Sequence, residues 1–251
     1  MPAEVRVVGL DGIPEVQPGD DLIAMIGDAI DSSDVGLQDG DVLVITHKIV
    51  SKSEGQLVDL TTIDPSPLAE MFARRWGKDA RQTEVVLRES VRIVRMERGV
   101  MICETRHGLI CANAGVDASN VPGDDTVCLL PIMPDDSAAK IRDGLTARFG
   151  VSPAIIISDS FGRPWRRGIT NVAIGVAGML PIQDYRGLTD PWGHDLRGTI
   201  MAVADELAST AELVAGKTDA RPVAIIRGYD YPRGHGAARD LVLEPEKDMF
   251  R

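Results

Sequence analysis

Apolar and polar positions change period several times along the chain, and each change predicts an element. "VRVVGL" (5–10) is an apolar-rich run that predicts a strand. The turn-rich "GIPEVQPGDDL" follows, with Asp20 or Asp21 placed to cap a helix near 21–31. "DGDVLVITHKIVSKSEG" (39–55) predicts a turn, a buried strand and a basic stretch, and residues 66–80 a helix with Pro67 near its start. The alternation in "SVRIVRMERGVMICETRHGLICANAGV" predicts strands with a hairpin around Arg106–Gly108. "AGVDASNVPGDD" predicts a loop, "TVCLLPI" a strand, and "SAAKIRDGLTARFG" a helix ending at Gly150. "PAIIIS" predicts a short buried strand ending at Asp159. "TIMAVADELASTAELVAG" (199–216) has the clearest helical spacing, closed by Gly216, and "RPVAIIRG" predicts a last strand. Strands and helices alternate without a strict βαβ rhythm, so the expected fold class is α/β of a mixed α+β kind rather than a doubly wound sheet. Neither a repeat nor a linker divides the chain, which reads as one domain over residues 1–251 with room for two subdomains.

Composition narrows the function classes. The chain has 251 residues, 44% hydrophobic and 26% charged, enough for a sizeable core. Its net charge of −11 argues against non-specific nucleic-acid binding, although a local basic cluster can still hold a small anion. No apolar run approaches the length of a membrane span, and the N-terminus does not read as a signal peptide. Cys103, Cys111 and Cys128 form no CxxC pair and read as buried, reduced thiols of a cytoplasmic protein. The four histidines show no zinc spacing.

"AELVAGKT" (211–218) approaches a phosphate-binding P-loop, but Ala211 stands where the first glycine belongs and the stretch closes a helix rather than opening one. Gly216 therefore reads as a C-cap and Lys217 as a cation near a helix C-terminus. "SDSFGRPWRRGITNVAIG" (158–175) sets Asp159 and Ser160, hard oxygen donors suited to Mg²⁺ or Mn²⁺, ahead of Arg163, Arg166 and Arg167, whose planar forks suit phosphate or carboxylate. A capped turn among solvated arginines explains the same residues equally well. Asp117 and Asn120 suit an Asx turn, yet Asp117 and Asp159 could share one metal ion. His47, Lys48, Lys52 and Glu54 favour a solvated basic turn over phosphate contacts, "GIPEV" passes as a turn, and Glu206 favours a solvated position. Trp165 and Trp192 suit either ring stacking or core packing.

"GIPEV", "THKIVSKSEG", "AGVDASN", "SDSFGRPWRRGITNVAIGVAG" and "ADELA…VAIIRG" stand in the order found in the coenzyme F420:L-glutamate ligase family, which the chain resembles over roughly residues 5–230. Their combination is specific where no single piece is. The resemblance implies ligation of L-glutamate to coenzyme F420-0 and its glutamylated forms. The co-substrate would be GTP, with two divalent ions (Mg²⁺ or Mn²⁺) and K⁺ as a further candidate ion. It also implies a family-specific fold without a P-loop and an intertwined homodimer. Carried over by position, Asp117 and Asp159 resemble the metal-binding carboxylates, and Ser160 stands where a threonine usually serves a second ion. Ile13, Pro14, Glu15, Val16, His47 (where serine is usual), Lys52, Asn120 and the loop from Gly216 to Pro222 resemble nucleotide contacts. Asp159, Arg163 and Arg166 are the catalytic candidates. Three departures stand out: Lys217 replaces an amide or acid that binds metal in some members, Ile169 a glutamine, and Arg167 a glutamate or asparagine. Some members continue into a flavin-binding reductase domain, and this chain reads either as a free-standing ligase or as the ligase part of such a fusion. A non-catalytic module that binds F420 or GTP for a partner reductase is the alternative reading.

Overall fold

Strand alternation decides the architecture of this protein. The computed structural model describes residues 3–249. In order, the chain forms β1 (Arg6–Gly9), α1 (Leu22–Asp31), β2 (Val42–Thr46), α2 (His47–Ser53), β3 (Leu57–Asp59), α3 (Pro67–Trp76), α4 (Ala80–Glu89), β4 (Ser90–Glu97), β5 (Val100–Thr105) and β6 (Ile110–Ala112). There follow β7 (Thr126–Cys128), α5 (Pro134–Phe149), β8 (Ala154–Arg163), β9 (Arg166–Ala177), β10 (Gln183–Asp184), β11 (Ile200–Met201), α6 (Val203–Ala215) and β12 (Val223–Arg227). The central sheet runs β1-β12-β2-β8-β9, with β2 and β8 parallel and the other pairs antiparallel.

Successive residues of the central strands feed opposite faces. Val42, Val44 and Ile156 pack with Val203, Leu207 and Ala211 of α6. Leu43, Ile45, Ile155 and Ile157 pack with Ile26 and Ile30 of α1 and Ile141 and Leu145 of α5. With both faces covered, β2 and β8 read as continuous apolar runs, as buried parallel strands do. Burying each such Ile or Leu contributes about 1.5–3 kcal/mol. Helix α5 lies close against β9 because Gly175 has no side chain: a Cβ there would stand 2.5 Å from the Pro134 carbonyl oxygen. A third core gathers Leu60, Phe72, Val85, Met101, Cys103 and Val127 from the segment between β3 and β7, beside the small sheets β4-β5-β6 and β3-β7. The expected mixed α/β class is what forms. Among the described residues no helix is long and apolar enough to cross a membrane.

Local chemistry explains most boundaries. Asp21 caps α1 by accepting from the Ala24 N–H at 3.0 Å, and Gly150 closes α5 in the left-handed region. The expected single helix over 66–80 is interrupted: Gly77 (φ 63°) ends α3, and Asp79 opens α4 by accepting from the Arg81 and Gln82 N–H groups. The basic stretch after β2 is helix α2, because Ile49 and Val50 are drawn into the core and carry the lysines with them. The largest difference concerns the "SDSFGRPWRRG" segment. Asp159 does not end its strand; β8 continues to Arg163, turns at Trp165 (φ 57°) and returns as β9. Mostly polar residues fill the outer half of that hairpin, so no apolar period marks it, and backbone pairing of β8 with β9 sustains it. Trp165 and Trp192 are 85% and 82% exposed, which removes the core-packing reading. All three cysteines are buried and free, and burial pushes the thiols of Cys111 and Cys128 up to about 12 and about 11, so they stay protonated and inert.

The sheet edge away from the loops described below is locked by one ion pair. Arg227, the last residue of β12, donates through Nε and Nη2 to both carboxylate oxygens of the fully buried Asp41 at 2.8 and 2.7 Å. The Gln38 N–H also donates to Asp41, and Arg227 reaches the Val35 and Gly36 carbonyls. Replacing Asp41 with alanine leaves a guanidinium without its charge partner, so Asp41→Ala is expected to cost about 3–5 kcal/mol in urea unfolding. Arg163→Ala, at an exposed tip, is expected to stay within about 0.5 kcal/mol of the parent.

Candidate functional site

Sheet pairing brings four chain segments to one edge. The C-terminal end of β2 lies beside Ser158 of β8, where the parallel pairing of the two strands stops. The start of β12 and the end of β1 lie at the same edge because each is antiparallel to its neighbour. Ligands of open α/β sheets bind beyond the carboxyl ends of such parallel strands. A cavity of about 670 Å³ opens there, a size suited to a small-molecule ligand.

Every nucleotide and metal candidate lines that cavity: Ile13, Pro14, Glu15 and Val16 after β1, His47 and Lys52 on α2, Asp117 and Asn120 on the loop before β7, Asp159 and Ser160 on β8, and Gly216 after α6. Arg163 and Arg166 do not. They stand exposed as a cross-strand pair at the tip of the β8–β9 hairpin. Ile169 lines the cavity, and Arg167 does not.

Strand β8 delivers donors to both sides of the sheet. Toward α2, Asp159 Oδ1 lies 3.3 Å from His47 Nε2, and the His47 ring is held on its other side by Ser51. Toward α6, Ser160 Oγ donates to Asn171 Oδ1 at 2.7 Å. Asn171 in turn donates to Glu212 at 2.9 Å, and Lys217 Nζ reaches Ser160 Oγ at 2.8 Å. Lys52 is buried and paired with Glu15, so the reading of it as a solvated turn residue is corrected: α2 folds it inward. Lys48 bonds Asp117 Oδ2 at 2.8 Å and both the carbonyl and hydroxyl oxygens of Ser119. Burial pushes the Asp117 carboxyl up, but Lys48 and the Ser119 N–H and hydroxyl outweigh it and hold the group below its ordinary range. The local turn and the cavity position of Asp117 therefore coexist. Glu206 is exposed, as its sequence context suggested.

The fit to a cation can be judged from these donors. Asp117 and Asp159 bring two carboxylates to one cavity, which suffices for Mg²⁺ or Mn²⁺ when phosphate and water complete the shell. Among the described residues no group of three or more His, Cys, Asp or Glu side chains could hold a metal by itself. An orphaned polar atom points the same way: Ser158 lines the cavity, is 2% exposed, and its buried hydroxyl has no hydrogen-bond partner.

Sequence motifs of this kind are matched by known proteins. The family model for F420-0:gamma-glutamyl ligase matches residues 12–228. The chain belongs to this family. It is 45% identical over 252 residues to the coenzyme F420:L-glutamate ligase of Methanothermobacter thermautotrophicus, covering 98% of this chain and 99% of that protein. It is 44% identical to that of Methanopyrus kandleri, over 94% of each chain. With the ligase of Methanocaldococcus jannaschii it shares 41% identity, over 99% of this chain and 97% of that one.

Ser158, Asn171, Glu212, Lys48 and Ser119 belong to the cavity although the sequence motifs did not assign them. Glu212 carried a signal, being the acid set among the apolar positions Ala208, Ala211 and Ala215 of α6. Asn171 carried none, because its strand was itself unmarked. The unpartnered Ser158 hydroxyl makes a prediction of unusual sign. Ser158→Ala is expected to raise the stability of the ligand-free protein by about 1 kcal/mol in urea unfolding, by removing a buried group without a partner. A lowered midpoint would show that the hydroxyl is already satisfied.

Proposed function

We propose that this chain is a coenzyme F420:L-glutamate ligase, joining L-glutamate to coenzyme F420-0 and its glutamylated forms in F420 biosynthesis. One observation carries the reading: every nucleotide and metal candidate of the family pattern lines a single cavity, in a chain 45% identical to such a ligase over nearly its full length.

Amide formation needs an activated carboxylate. In the proposed reaction the acceptor carboxylate attacks the γ-phosphorus of GTP, giving an acyl phosphate and GDP. The glutamate amine then attacks the acyl carbon, loses a proton and expels inorganic phosphate. Phosphoryl transfer of this kind depends mostly on positioning and electrostatics, so no nucleophilic side chain is required. A divalent ion held by Asp117 and Asp159 would neutralise phosphate charge and offset the charge that shifts during transfer. Lys52 and Asn120 are assigned to the nucleotide, with the segment Ile13–Val16 packing along it. Support for Lys52 comes from its burial beside Glu15, which keeps the ammonium aimed inward. His47 is assigned to holding Asp159 in orientation, supported by their 3.3 Å approach and by Ser51 behind the ring. Arg163 and Arg166 are assigned to anionic groups of the acceptor that extend past the cavity toward the hairpin. The active form is proposed to be a homodimer.

Incubation with GTP, Mn²⁺, L-glutamate and F420-0 is expected to give acceptor masses increased by glutamyl units, with GDP release that requires both co-substrates. Asp159→Asn is expected to lower ligation by about 10²–10³-fold or more. Wild-type ligation by that variant would remove Asp159 from its role. GTP binding without any glutamyl addition by the parent protein would support the binding-module reading instead.

A further inference from the structure

The hydrogen-bonded ring on the α6 side of the cavity supports a claim that rests on the ligase reading and goes beyond it. Gly216 ends α6 with φ 64° and ψ 175° and turns the next residue back toward β8. Lys217 Nζ then lies 2.8 Å from Ser160 Oγ and 3.1 Å from Glu212 Oε1. Ser160 donates to Asn171, and Asn171 donates to Glu212 Oε2, so four side chains close a ring. The Ser160 hydroxyl, the candidate ligand of a second metal ion, has its proton and one of two lone pairs already in use. A divalent ion on the remaining lone pair would sit beside an ammonium bonded to the same oxygen.

Charge balance separates this position from the other candidate. Of the two carboxylates, Asp117 is paired with the Lys48 ammonium and Asp159 meets the His47 ring, which leaves negative charge for a cation. Around the Ser160 hydroxyl the Glu212 carboxylate is matched by the Lys217 ammonium, while neighbouring Asp159, whose Oδ1 accepts from the Ser160 N–H at 2.6 Å, is turned toward His47. The Ser160 hydroxyl, Asn171 and Glu212 are thus engaged with one another and with Lys217, an arrangement that fits one metal ion rather than two.

We propose that Lys217 takes the place of the second metal ion, as a tethered monovalent cation that contacts phosphate or carboxylate oxygens of the substrates. The protein then binds one divalent ion per chain, at Asp117 and Asp159.

The test counts bound Mn²⁺ by electron paramagnetic resonance, with saturating β,γ-imido analogue of GTP and excess ions removed. The parent protein is expected to retain one Mn²⁺ per chain, Lys217→Arg one, and Lys217→Gln two. Lys217 is a half-exposed residue following a helix, so both variants are expected to fold, and matching thermal unfolding curves check this. Two Mn²⁺ in the parent, or one in both the parent and Lys217→Gln, would overturn the proposal. Failure of the analogue to bind the parent protein at all would overturn the ligase reading, and this inference with it.

Discussion

Parallel pairing of β2 with β8 is the constraint on which the rest of the molecule depends. Val42 to Thr46 run beside Ala154 to Ser158 in register, both strands buried on both faces. Their pairing stops at Thr46 and Ser158, and from there each strand's polar backbone groups need other partners. The chain solves this differently on each strand. After Thr46 it turns directly into α2, which carries His47, Lys48 and Lys52 onto the edge. After Ser158 it keeps going as an extended strand, whose backbone bonds are completed by β9 alone. The cavity is the space between those two solutions.

That arrangement explains which parts were legible in the sequence. The apolar strands, α1, α5 and α6 announce themselves because burial imposes a period on them. Asp21 and Gly150 mark ends because caps need those residue types, whereas Gly77 was read through as part of one helix over 66–80. The β8–β9 hairpin does not announce itself beyond Ser158. Its outer half touches solvent on both faces, so Gly162 to Gly168 obey no alternation and read as a loop. The same blindness hid α2, where two apolar residues among lysines were too few to show a helical stripe. Site residues were legible as types and order within a family pattern, whereas the pairing of Asn171 with Glu212 depended on strand pairing and helix docking that no local pattern encodes.

Rigidity is distributed to suit this edge. At the opposite end of the sheet Arg227 and Asp41 tie β12 to the start of β2 with a bidentate pair, and Asp41 is fully buried. The cost of desolvating that pair is offset by further bonds from Gln38 and to the Val35 and Gly36 carbonyls. The cavity end has no such lock. It is held by ion pairs that reach between segments: Lys52 to Glu15, Lys48 to Asp117, and Lys217 to Glu212.

Those three pairs also set the electrostatic terms on which an anion can enter. Each cavity lysine already has a carboxylate partner, while Asp159 meets the His47 ring and accepts from the Ser160 N–H. A triphosphate that captures Lys52 or Lys217 leaves Glu15 or Glu212 behind as a new negative neighbour, and at partly buried positions such charges interact by several kcal/mol. Lysines alone therefore give little net attraction for so highly charged a ligand. On the reading proposed above, net attraction would come from positive charge not already matched, supplied by a cation beside Asp117 and Asp159. In a chain of net charge −11, matching each of these lysines with a carboxylate keeps the charge of this edge locally balanced.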